Sequence, residues 1–209
     1  MTAPEAEEFA ERFDVSRETL DKLFAYEALL KKWNPAINLV AKSTLEDMWS
    51  RHFLDSAQIF AMAPEDARIW ADFGAGGGFP GLVIAILSAE KAPERQVILV
   101  ESDLRKSAFL STVTRELSLN IRVLAQRIEE IAPLKADVVS ARALANLPKL
   151  LEFSARHLKP SGIAIFPKGA RWQEELAQAK ESWSFDYEAI ESLSDPNSVV
   201  LKIHGAERV

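Results

Sequence analysis

The chain has 209 residues, 48% of them hydrophobic, with a formal net charge of −6 and no cysteine. That length supports one full α/β core with an appendage and is short for two ordinary domains. The lack of cysteine excludes disulfides, a thiolate metal centre and a cysteine nucleophile; three scattered histidines argue against zinc, and the acidic balance argues against a general nucleic-acid binder. A local basic face is still allowed. The first residues lack the basic-then-apolar order of a signal peptide, and no apolar run approaches the roughly 18 residues of a membrane span. A soluble, cytoplasmic chain without a membrane partner is expected.

In chain order, an acidic helix runs to about Phe13, and Asp14-Val15-Ser16 breaks it. Ser16 then caps a second helix carrying Leu20, Leu23, Phe24, Leu30 and Trp33. That helix is expected to stop at Asn34, because the residue before a proline is pushed out of the α region. Ser43-Thr44-Leu45-Glu46 reads as a capping box opening a third helix with Met48, Trp49, Phe53 and Leu54. Residues 1–63 are therefore expected to form a helical extension, whose apolar faces must pack on the domain at 64–209, the two making one compact unit.

From Arg68 the pattern changes. Strands are expected near 68–73, 96–101, 121–126, 136–140 and 161–167, with helices near 80–88, 104–118, 147–158 and 171–182. Such alternation means a parallel sheet covered on both faces. The runs Phe185 to Leu193 and Ser198 to Ile203, joined by Ser194-Asp195-Pro196-Asn197, read instead as a hairpin, which makes the last strand antiparallel. A mostly parallel seven-stranded sheet with a C-terminal antiparallel hairpin is the Rossmann-like α/β fold of the class I methyltransferases. Ligands of open α/β sheets sit at the carboxyl ends of the strands, which gathers the loops after residues 73, 101, 126 and 140.

Four of the eight glycines fall at 74, 76, 77 and 78, between an apolar strand and Pro80, expected at the first position of a helix. Gly74, Gly76 and Gly78 fit G-x-G-x-G, but the dinucleotide fingerprint needs a glycine where Phe79 stands. The bulk of Phe79 weakens a nicotinamide oxidoreductase reading and favours a ligand with no pyrophosphate but an apolar or aromatic part, such as S-adenosylmethionine. Glu101 ends the next strand, where a carboxylate accepts hydrogen bonds from a ribose. A binding protein that senses this cofactor without catalysis fits the same loop.

Particular segments then carry a resemblance: N-L-V at 38–40, R-H-F-L-D-S at 51–56, D-F-G-A-G-G-G-F-P-G at 72–81, E-S-D-L-R-K at 101–106, R-I-E-E at 127–130, S-A-R-A at 140–143 and P-K-G at 167–169. In this order the chain resembles the RsmG/GidB family (glucose-inhibited division protein B), the 16S ribosomal RNA methyltransferase G enzymes. The resemblance implies methyl transfer from S-adenosyl-L-methionine to N7 of a guanine in the 530 loop of 16S rRNA, in the small ribosomal subunit or an assembly intermediate, with no metal. It also implies that Gly74, Gly76 and Phe79 line the cofactor site with Glu101, and that Ile128 and Glu129 meet the adenine through main chain. Arg142 would reach cofactor or substrate. The family often has Asp where Glu101 stands.

The residues suit that chemistry. Methyltransferases acting on exocyclic amines commonly carry N/D-P-P-Y/F after the fourth strand, whereas this chain has Ser140-Ala141-Arg142-Ala143. Guanine N7 carries a lone pair and no proton, so it needs alignment and no general base. A guanidinium matches the acceptor face of guanine, which assigns Arg142 to O6, a phosphate or the cofactor carboxylate, with a structural ion pair as the plain alternative. Candidates for the RNA-facing surface are Lys31, Lys32, Lys42, Arg51, Arg105, Lys106, Lys149 and Arg171, together with His52 and Lys168. Lys168 is singled out because it follows a strand that should end at the crevice rim, and His52 because it can order the helical extension against the pocket.

Overall fold

The computed structural model describes residues 4–209. Seven strands form one sheet in the order β3-β2-β1-β4-β5-β7-β6, where β1 is Ile69–Phe73, β2 Gln96–Val100, β3 Ile121–Leu124, β4 Ala136–Ala141, β5 Leu158–Lys168, β6 Trp183–Glu191 and β7 Val199–Arg208. The first five are parallel; β7 runs antiparallel between β5 and β6. This is the class I methyltransferase arrangement.

Period-two alternation divides the core between the sheet's two faces. Trp70, Val97, Leu99 and Val138 point to the face covered by α4 (Gly81–Lys91) and α5 (Leu104–Glu116). Ala71, Ile98, Val100 and Val139 point to the face covered by α6 (Leu147–His157) and α7 (Trp172–Lys180). Every residue of α4 from Gly81 to Ser88 is buried, because the sheet lies on one side of it and α1 (Pro4–Phe13), α2 (Arg17–Ile37) and α3 (Leu54–Ala57) on the other.

Three local expectations are corrected in and beside the N-terminal helices. The helix α2 does not stop at Asn34 but carries Pro35 inside its last turn. Its exit is secured another way: Asn38 adopts φ 47° and donates to the Asn34 carbonyl, while Asn34 Oδ1 accepts from Leu39 N at 2.7 Å and Val40 N at 2.9 Å. No capping box forms at residues 43–46; Lys42–Thr44 is a single 3₁₀ turn, and Thr44 Oγ1 turns back to donate to Ala41 O at 2.9 Å. The next helical piece is a π-helical turn, Trp49–Phe53, running directly into α3. Finally, Pro80 stands just outside α4, after a cis Phe79–Pro80 peptide, and the helix begins at Gly81.

Candidate functional site

Two clefts open at the carboxyl ends of the parallel strands and share the segment Ala143-Leu144-Ala145 as a common wall. The first, of about 390 Å³, is lined by Gly74, Gly76, Val100, Glu101, Gln126, Ile128, Glu129 and Phe153, among others. Its volume falls in the range of about 300–1,000 Å³ typical of small-molecule sites. Gly74 and Gly76 have φ of 63° and 53°, a left-handed region that costs other residues strain. A Cβ on Gly74 would lie 2.5 Å from Leu144 Cδ1. Glu101 is 8% exposed; Oε2 accepts from Gly76 N at 2.9 Å and Oε1 from Asp103 N at 2.8 Å. Each oxygen keeps a second acceptor position. Asp103 caps α5 by accepting from Arg105 N and Lys106 N. The glycine loop is braced from behind by α2, whose Tyr26 hydroxyl donates to Gly77 O at 2.5 Å.

Asp72 lies beneath this loop and is wholly buried. Its Oδ2 accepts from Gly81 N at 3.1 Å and its Oδ1 from Ser140 Oγ at 2.7 Å, while that hydroxyl accepts from Trp70 Nε1 at 2.9 Å. Burial raises the Asp72 carboxyl to about 7 against the opposing hydrogen bonds from Ser140 and Gly81. The network ties β1, β4 and the start of α4 together under the loop.

The second cleft, of about 590 Å³, is lined by Asp55, Arg142, Asn146, Lys168, Arg171, Glu174, Glu175 and Ser192 with the shared wall. Arg142 Nη1 lies 3.1 Å from Asp55 Oδ2, its Nη2 lies 2.9 Å from His52 Nδ1, and its guanidinium carbon sits 4.9 Å from the Phe79 ring centre. Burial, then Arg142 and Arg51, push the His52 imidazole down to about 4, so it is neutral near pH 7. Lys168 is buried with Nζ 2.6 Å from Glu175 Oε2 and 3.1 Å from Ala145 O.

Gly74, Gly76, Glu101, Ile128 and Glu129 thus share one cleft, and Arg142 and Lys168 share the other. His52 lines neither cleft but bonds Arg142, which lines the second. Phe79 lines neither cleft: its ring is 4% exposed and packs among Tyr26, Phe53 and His52. Arg142 faces the second cleft rather than the glycine cleft, because Asp55 and His52 hold it there. The sequence reading passed over Asp55, although it stands in R-H-F-L-D-S, and over Asp72 and Leu144. Among the described residues no group of three or more His, Asp or Glu is placed to hold a metal, and no helix is long and apolar enough to cross a membrane.

The family description for GidB, rRNA small subunit methyltransferase G, matches residues 19–199. The chain belongs to this family. Members similar to it include ribosomal RNA small subunit methyltransferase G of Ruegeria pomeroyi, 53% identical over 96% of this chain and 98% of the relative, and that of Rhodospirillum centenum, 54% identical over 95% and 89%. Among solved structures, a SAM-dependent methyltransferase from Aquifex aeolicus has a TM-score of 0.57 at 16% identity, covering 85% of this chain and 96% of its own. The fibrillarin/Nop5p complex contains a chain with a TM-score of 0.55 at 17% identity, covering 74% and 81%. These two likenesses establish the fold. In this member of the small subunit methyltransferase G family, one cleft thus opens at the glycine loop and the other around Arg142, and they meet at Ala143-Leu144-Ala145.

Proposed function

We propose that this chain transfers a methyl group from S-adenosylmethionine to N7 of a guanine in the 530 loop of 16S rRNA. The observation that carries the reading is the wall where the clefts meet: Ala143, Leu144 and Ala145 place no ionisable side chain there, and the carboxylates Asp55 and Glu175 beyond it are engaged by Arg142 and Lys168. An exocyclic amine must lose a proton as it is methylated, whereas N7 attacks with an in-plane lone pair and needs only to be aligned with the donor. The donor fits the glycine cleft, where Glu101 has acceptor positions for ribose hydroxyls and Gly74 and Gly76 permit close approach of backbone. Ile128 supplies apolar surface for an adenine beside Glu129. In the acceptor cleft Arg142 is suited to guanine O6 or a phosphate. Lys168, paired with Glu175, lines the same cleft as a second candidate for the substrate. The acidic overall charge favours a small subunit or an assembly intermediate in the cytoplasm as substrate, where partners supply part of the attraction.

Replacing the target guanine by 7-deazaguanine in reconstituted small subunits tests the reading, since a C–H then stands where the lone pair was. Transfer of labelled methyl should be abolished while binding persists, because phosphate contacts supply much of RNA affinity. Methylation of the deaza substrate at the normal rate would move the acceptor to another atom.

A further inference from the structure

We infer that His52 and Asp55 are positioning residues which hold the Arg142 guanidinium at the acceptor cleft in one orientation. The inference rests on the methyl-transfer reading above and adds to it a catalytic duty for the N-terminal helices. The hydrogen-bond directions are determined by proton counting. Thr44 has one hydroxyl proton, and it goes to Ala41 O at 2.9 Å. Its oxygen therefore accepts from His52 Nε2, 2.9 Å away, which makes Nε2 the protonated nitrogen of the neutral ring. Nδ1 is left with a lone pair, and that lone pair accepts from Arg142 Nη2 at 2.9 Å.

The same ring lies stacked on Phe79, with centroids 4.8 Å apart and planes 25° apart, and the guanidinium covers Phe79 as well. Asp55 grips the other nitrogen, Nη1, at 3.1 Å. Its remaining oxygen accepts from Ser194 Oγ at 2.9 Å and Gln58 Nε2 at 3.0 Å, so Asp55 is itself anchored to the loop between β6 and β7. Two of the five guanidinium N–H donors are held in this way, and three remain for a ligand in the cleft. A planar fork whose orientation is prescribed on one side presents its other donors without the entropy cost of a free arginine. Phe79 acts here as the platform, which accounts for a bulky ring at the end of a glycine loop.

The experiment measures methyl transfer to small subunits by His52→Ala and Asp55→Asn, each alone and combined with Arg142→Ala, with thermal melts and S-adenosylhomocysteine affinity followed in parallel. Expected are losses of at least about tenfold in kcat/KM for each single variant, cofactor affinity unchanged, and no further loss when either is added to Arg142→Ala. His52→Asn, whose amide oxygen can stand where Nδ1 stands, should recover much of the rate lost in His52→Ala. Losses that add to that of Arg142→Ala, or full activity in Arg142→Ala, would overturn the clamp. Where His52→Ala does not fold, the Asp55→Asn cycle decides by the same comparison. Wild-type protein that transfers no methyl to small subunits would instead overturn the reading beneath it.

Discussion

Gly74 combines a φ of 63° with a side-chain direction that runs into Leu144. A β-branched residue there must both adopt a disfavoured backbone conformation, costing roughly 1–2 kcal/mol, and displace the wall between the clefts. Gly74→Val should keep the sheet, since the loop lies beyond the end of β1, but weaken S-adenosylmethionine binding by at least about tenfold, equivalent to about 1.4 kcal/mol. Isothermal titration checks this, and unchanged affinity would assign the glycine to the turn alone. The glycine's role was legible in the sequence because a positive φ is a property of one residue. The role of Phe79 was not, because the same substitution for glycine is explained equally well by a ligand above the loop or by an aromatic cluster behind it. Only the approach of Tyr26, His52 and Phe53, from up to 53 residues away in the chain by the numbering, decides for the second.

Among the elements, α2 and α4 are joined by one carboxylate. Glu90, near the end of α4, accepts from the Ser16 amide at 3.1 Å, the Ser16 hydroxyl at 2.9 Å and the Thr19 hydroxyl at 2.5 Å. Ser16 in turn caps α2 by accepting from Thr19 N at 3.2 Å. Removing the carboxylate in Glu90→Ala leaves the exposed Ser16 amide and hydroxyl to water but strands the hydroxyl of buried Thr19, so the cost should be roughly 1–3 kcal/mol. A urea titration should show a lower midpoint with an unchanged slope. The cap at Ser16 was readable as a local signal; the partner 74 residues away was not. The supposed box at 43–46 failed for the converse reason. Its cap residue, Ser43, lies inside the 3₁₀ turn Lys42–Thr44 instead of opening a helix, and the neighbouring Thr44 is bonded to His52, a contact that the local pattern does not contain.

At the scale of the molecule, the N-terminal helices complete the core rather than decorate it. Leu82, Val83, Ile84, Ile86 and Leu87 of α4 are at most 1% exposed, and an aliphatic side chain uncovered from such a site loses about 1.5–3 kcal/mol. Deleting residues 1–63 uncovers part of this helix and the back of the glycine loop, where Tyr26 holds Gly77. The truncated chain should fail to fold as a soluble monomer, and the full chain should unfold in one transition with coincident fluorescence and circular dichroism curves. A separate, earlier transition would instead mark the helices as an independent unit.

The sequence by itself determined the sheet, its parallel part and closing hairpin, and the position of the glycine loop, because strand alternation, helix periodicity and turn chemistry are repeated over short windows. It also placed Glu101, Ile128 and Glu129 on one side of the sheet, since strand ends in a parallel sheet lie together whatever the side chains do. Which way Arg142 turns was decided only in three dimensions. Its charge is compatible with a cofactor carboxylate, a base or a phosphate, and the cleft it faces is set by its contacts with Asp55 and His52, 87 and 90 residues away in sequence. Long-range pairing of this kind depends on distant segments brought together by packing, and no local spacing encodes it.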